Sequence, residues 1–258
     1  MKTALVLSYL GTAYHGWQRQ KNAMTIQEML EESIAAVCGC RTALSGCGRT
    51  DAGVHARYYV ASAQLDTSIP LDRLPAALNS RLPRDIVVHR AVAVPEDFDA
   101  RFSCKNKEYT YVIHNSRTRD PFSIDRAYFY PQTLDADAMS RAASHFVGRQ
   151  DFAAVKSEGT PVKSTVRTMY YCTAERRGDM IYIRACADGF LYNMVRAIAG
   201  TLIYCGIGKI APDDIPAILR SGDRELAGPT APPCGLYMTA LTYGMEELDG
   251  KADPGKKE

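Results

Sequence analysis

Two strand-like runs, 164–174 and 180–187, are joined by Arg176-Arg177-Gly178-Asp179, and this junction limits what the chain can fold into more than any other feature. Glycine beside a polar residue between two β-rich runs is a hairpin signal. A hairpin is antiparallel, so a purely parallel α/β sheet is excluded. Helices nevertheless punctuate the strands. Thr25-Ile26-Gln27-Glu28 forms a capping box, and Ile26, Met29, Leu30, Ile34 and Val37 recur at helical spacing, which predicts an amphipathic helix over 26–38. Strands are predicted over 3–9, 55–65 and 85–94, with a helix over 71–80 after Pro70. Alternation over 106–114 sets Tyr109, Tyr111 and Ile113 on one face of a strand. Further helices are expected over 137–147 (ended by Gly148), 190–205 (ended by Gly206) and 213–221 (led by Pro212), with a closing strand over 236–243. The reading is α+β: two sheet-plus-helix lobes, 1–105 and 106–245, followed by a polar tail, 246–258, expected to be disordered.

The 258 residues are 46% hydrophobic and 23% charged, which excludes wholesale disorder. No apolar run approaches the roughly 20 residues of a membrane span, and the first residues read as a strand, not a signal peptide. Net charge is only +2, yet residues 1–245 hold 28 basic and 24 acidic side chains, and arginines outnumber lysines by 21 to 10 in the whole chain. Arginine suits bidentate phosphate contact, although a GC-rich genome produces the same excess. Eight cysteines form no CxxC pair, so no zinc-site spacing is present. Several sit in apolar surroundings and read as buried hydrophobes of a reduced, cytoplasmic protein.

Three places could carry chemistry. Gly46 to His55 (GCGRTDAGVH) brackets Arg49 and Asp51 with glycines, so a cation and a carboxylate stand at one loop tip. The alternative is a surface turn in which Asp51 bonds its own backbone. The spacing fits neither a Walker A loop nor the dinucleotide fingerprint. Arg196 lies near the start of the apolar helix 190–205, where it either snorkels to solvent or meets a buried carboxylate. Tyr109 follows the basic run Lys105-Asn106-Lys107-Glu108, and is either a core residue or a stacking platform for a flipped base.

Taken together these segments resemble the tRNA pseudouridine synthase A family. Residues 48–55 (GRTDAGVH) are similar to its active-site loop, 11–20 (GTAYHGWQRQ) to its N-terminal signature, 98–103 (FDARFS) with 107–111 (KEYTY) to its mid-chain signature, 190–196 (FLYNMVR) to its Phe-Leu-x-x-Met-Val-Arg segment, and 231–237 (APPCGLY) to its C-terminal segment. Leu10 departs from the pattern, which has an aspartate after the tyrosine.

The resemblance implies a pseudouridine-synthase-type fold with a basic RNA-binding cleft between the lobes. It implies isomerisation of uridine to pseudouridine at positions 38, 39 and 40 of the tRNA anticodon stem-loop, with Asp51 as the catalytic carboxylate and no cofactor or metal, because atoms are conserved. Arg196 would keep Asp51 ionised, Tyr109 would pack on the uracil, and Arg49 would fill the space left by the flipped nucleotide. Arg19, Arg101, Arg117, Arg119 and Arg126 are candidates for phosphate contact or ordinary surface charges, and His55 reads as structural. The resemblance also implies a homodimer with one tRNA crossing both subunits. Two other classes compete. A non-catalytic RNA-binding protein would need none of Asp51, Tyr109 and Arg196, and a metal-dependent hydrolase would want a second carboxylate or ligand cluster beside Asp51.

Overall fold

The computed structural model describes residues 1–159 and 162–249. Along the chain the elements are β1 (Lys2–Tyr9), α1 (Ile26–Cys38), β2 (Ser45–Gly46), β3 (His55–Gln64), α2 (Leu74–Asn79), β4 (Ile86–Ala93), β5 (Asn106–His114), β6 (Tyr128–Phe129), α3 (Ala136–Ser144), β7 (Gly148–Asp151), β8 (Val166–Arg177), β9 (Met180–Ala187), α4 (Met194–Gly206), α5 (Ile215–Ser221) and β10 (Leu236–Thr242). They form two compact units, Met1–Lys107 with the described residues from Tyr237 onward, and Glu108–Leu236. The mixed α+β class expected from the sequence is the observed one.

In the first unit β1 lies antiparallel between β4 and β3, and β10 runs parallel to the start of β3. Residues 237–242 therefore belong with this unit and not with the second lobe, where chain order alone puts them. Thr25 caps α1 by accepting from the Glu28 backbone N–H, and Gly39 closes the helix at φ 79°, a left-handed turn that glycine adopts without a Cβ penalty. Leu5, Leu7, Ile26, Leu30, Ile34, Leu74 and Leu78 are fully buried. Glu31 is also buried, and it is partnered by Arg19 (3.2 Å), Gln27 Nε2 (2.8 Å) and the Leu44 N–H (3.2 Å). The tail is not wholly loose: Leu248 is fully buried, its carbonyl accepts from Tyr58 Oη at 3.0 Å, and Asp249 accepts from the Tyr243 N–H. Residues 250–258 of the predicted tail lie outside the described residues.

In the second unit β9 lies beside β5 and β8, and β7 pairs outside β8. The hairpin is tighter than the sequence suggests: Arg177 pairs with Met180, so only Gly178 and Asp179 turn. Arg176 is not a loop residue, for its guanidinium is held by Asn115 Oδ1 (2.7 Å) and the Leu134 carbonyl (2.9 Å). The helix expected over 137–147 ends at Ser144, and Gly148 (φ 107°) instead opens β7, which no periodicity in so short a run announces. The helix expected over 190–205 begins only at Met194, because Asn193 sits at φ 58° and cannot continue a right-handed helix. The helix expected over 213–221 splits into a 3₁₀ turn at Pro212–Asp214 and α5.

Against α4 the segment 228–231 packs backbone to backbone. A Cβ at Gly200 would stand 1.6 Å from the Pro229 carbonyl oxygen, and the Gly228 N–H donates to Thr201 Oγ1 at 3.0 Å. Gly200→Ala should therefore push this segment off the helix. Forced overpacking costs about 1–3 kcal/mol, which for a chain of this size lowers the melting midpoint by about 2–10 °C. Calorimetry of the variant checks this, and an unchanged midpoint would show that the segment can move at no cost.

Candidate active site

The loop between β2 and β3 is held at almost every residue. The Cys47 N–H donates to the Val60 carbonyl at 2.9 Å, Lys107 Nζ donates to the Cys47 carbonyl, and Tyr59 Oη donates to the Gly48 carbonyl at 2.5 Å. Thr50 is fixed twice, its carbonyl accepting from the Trp17 N–H at 3.1 Å and its hydroxyl bonded to Tyr9 Oη at 2.9 Å. The Val54 N–H closes a turn onto the Asp51 carbonyl at 3.1 Å, and the Gly53 N–H reaches the Tyr14 carbonyl at 3.3 Å. Asp51 is half-buried at the tip of this turn and Arg49 is exposed beside it.

Residues 11–17 press against the loop from behind. A Cβ at Gly11 would stand 1.9 Å from the Val54 carbonyl oxygen, and one at Gly16, which is at φ 81°, would stand 2.3 Å from the Thr50 carbonyl oxygen. No side chain fits at either position. Trp17 stacks on Tyr59 at 4.2 Å between centroids, and a Cβ at Gly46 would collide with both rings. His55 is fully buried, its Nδ1 accepts from the Gly11 N–H at 2.9 Å, and its ring lies 4.7 Å from that of Tyr237. It splints this arrangement and is out of reach of solvent. Burial pushes the Tyr9 hydroxyl up and the Cys47 thiol up to about 12, so both stay neutral near pH 7 and act as hydrogen-bonding or packing groups.

Tyr109 and Arg196 belong to the second unit. Tyr109, on β5, is 8% exposed and meets Phe190 edge-on at 5.1 Å. Tyr109 is thus packed as a core residue, against the segment that leads into α4. Arg196, half-buried, occupies the first turn of α4, where the positive end of the helix dipole disfavours a cation. Oxygen acceptors offset this: Nε donates to the Ala231 carbonyl at 2.8 Å and Nη1 to Asn193 Oδ1 at 2.8 Å. The Ala231 N–H returns a bond to the Arg196 carbonyl at 3.0 Å. Arg196 is thus a fixed group and does not snorkel. The buried Tyr111 carries its hydroxyl to the Pro232 carbonyl at 2.7 Å, which pins the same segment from its other end.

Of the five arginines considered for phosphate contact, Arg19 has a structural partner in Glu31, while the Arg101 and Arg119 guanidiniums lie over the rings of Phe102 (5.4 Å) and Phe129 (5.6 Å). Arg117 and Arg126 are exposed. Four of the eight cysteines, Cys47, Cys172, Cys186 and Cys205, are buried as the apolar surroundings suggest; Cys40 is exposed and the others are half-buried. Leu10, the departure from the family pattern, is exposed and its N–H donates to the Asp85 carbonyl at 2.9 Å. Lys107, Asn193 and Ala231 were not legible as site residues. Only Asn193 carried a local signal, asparagine being tolerant of the left-handed conformation it adopts here.

The sequence pattern of the tRNA pseudouridine synthase family matches residues 5–103 and 142–244. The tRNA pseudouridine synthase A of Thermoanaerobacter pseudethanolicus is 48% identical over 239 residues, covering 93% of this chain and 98% of that protein. The enzyme of the same name from Caldicellulosiruptor bescii is 46% identical over 241 residues (93% and 98%), and that of Geotalea uraniireducens 42% over 239 residues (93% and 98%). With matches at that identity over nearly the full length of both partners, the chain belongs to the tRNA pseudouridine synthase family.

Proposed function

We propose that this tRNA-uridine isomerase acts at positions 38, 39 and 40 of the anticodon stem-loop, with Asp51 as its catalytic carboxylate. The observation that carries the reading is the immobilised loop, which fixes the backbone of Asp51 on both sides and leaves its side chain at the tip. A carboxylate that must meet one carbon of a nucleoside gains rate from being held in place before the substrate arrives. The reaction breaks the N1–C1′ bond, turns the uracil, joins C5 to C1′ and moves the C5 proton to solvent while N1 regains one. No group is consumed, so no cofactor or metal is called for. Addition of Asp51 to the base, its attack on C1′ and abstraction of a sugar proton to give a glycal all begin with an ionised carboxylate.

In this reading Arg196 is the cation that keeps Asp51 ionised, Tyr109 packs on the uracil, and the exposed Arg49 takes the place of the flipped nucleotide. A basic surface holds the stem-loop, two copies of the chain form a homodimer crossed by one tRNA, and the enzyme works in the cytoplasm. What supports these assignments is the family membership, the excess of arginine and the motif positions. Tritium release from tRNA labelled at uridine C5, with the modified positions mapped, tests the reaction and its site together.

Asp51→Asn and Asp51→Ala should abolish release while tRNA affinity stays within about threefold, since affinity comes mostly from phosphate contacts. Measurable turnover by Asp51→Ala would refute the assignment. Affinity should fall steeply with salt, the slope of log affinity against log salt gaining roughly 0.7–0.9 for each phosphate neutralised; a flat dependence would contradict the basic surface. Arg196→Met removes the cation and keeps a stem of similar length. The charged form of Asp51 then loses its stabilisation and its pKa rises, so activity is lost near neutral pH and partly returns as pH increases. Arg196→Lys, which keeps charge without the planar fork, should be intermediate.

A further inference from the structure

We infer that Asn193 is a positioning residue that aims the Arg196 guanidinium, and that it does so from a backbone conformation held for this purpose. The inference rests on the role proposed for Arg196. Asn193 stands immediately before α4 at φ 58°, one of two non-glycine residues at positive φ among the described residues. Glycine would occupy this conformation with no Cβ penalty, so backbone geometry alone favours glycine here. The side chain supplies what glycine cannot. Its Oδ1 accepts from Arg196 Nη1 at 2.8 Å, and its Nδ2 donates to Ser157 Oγ at 3.0 Å. Arginine has only donors, so the oxygen must face Arg196 and the amide nitrogen must face Ser157; the orientation of the amide is thereby settled. Ser157 is itself tied to this turn, its N–H donating to the Tyr192 carbonyl at 3.1 Å.

The second fixed point is main chain. Arg196 Nε donates to the Ala231 carbonyl while the Ala231 N–H donates to the Arg196 carbonyl, so residue 231 grips the same arginine at both ends. Two acceptors at different nitrogens of a planar group define its plane as well as its position. Losing the Ala231 bond would need a backbone change, whereas losing the Asn193 bond needs one side chain. The left-handed turn brings Oδ1 back toward the first turn of the helix, three residues before Arg196. A right-handed residue at 193 would extend α4 and carry the amide away. The structural cost at 193 and the aim of Arg196 are in this way one feature.

The test uses the full-length chain, tRNA tritiated at uridine C5 and four variants. Asn193→Gly keeps the backbone and removes the acceptor; Asn193→Asp keeps the acceptor and the tolerance for positive φ, loses the donor to Ser157 and places a negative charge beside Arg196. Asn193→Gly should lower kcat about tenfold or more with KM for tRNA changed less than twofold, with melting midpoint unchanged or raised, and with the acidic limb of the pH profile moved upward. Asn193→Asp should recover kcat to within about threefold of the parent. The double variant Asn193→Gly/Arg196→Met should be no slower than Arg196→Met alone, because the two act as one unit. If Asn193→Gly turns over like the parent while Arg196→Met is inactive, the positioning role is wrong and the role of Arg196 stands. If Arg196→Met is itself fully active, both fall. A purely structural asparagine would show a lowered melting midpoint in the glycine variant and no shift of the pH profile, which also overturns the inference.

Discussion

The first unit depends on backbone meeting backbone with no side chain between. At Gly11 and Gly16 the N-terminal segment touches the carbonyls of Val54 and Thr50 at distances where a Cβ cannot stand. This close approach lets the Trp17, Gly53 and Gly11 amides each find a partner across the contact. A loop that would otherwise be among the more mobile parts of a fold becomes an extension of the sheet. The residues at 11–17 therefore serve the carboxylate loop as a mould, and their resemblance to a family signature is explained by geometry before any contact with RNA is invoked.

The second unit repeats the device around Arg196. Gly200 admits the chain at 228–231 onto α4, and that closeness is what brings the Ala231 carbonyl within reach of the guanidinium. In both units glycine supplies proximity and the neighbouring polar groups supply direction. Tyr9, Tyr59, Trp17, Thr50 and His55, with the Lys107 ammonium on the Cys47 carbonyl, fix the carboxylate loop, and Asn193 fixes Arg196.

Local rules decided much of what the sequence by itself determined. Thr25 and Glu28 begin α1, Gly39 ends it, and the strand expected over 106–114 is β5 at both ends, because capping and period-two patterning are read from near neighbours; the burial of Thr110 and His114 on the opposite face comes from tertiary packing. The five motifs in order were enough to reach the family, and the glycines bracketing Arg49 and Asp51 marked the loop as unusual. Tertiary structure decided the rest, for reasons that are non-local. Whether Arg196 snorkels is settled by a carbonyl 35 residues away, and whether 237–242 joins the first unit or the second by its register against β3. The early end of α3 was set by Gly148 pairing with Met169 of β8, a partner 21 residues away, whereas the late start of α4 was set by Asn193 turning left-handed, a conformation whose Arg196 partner is near but whose Ser157 partner is 36 residues away.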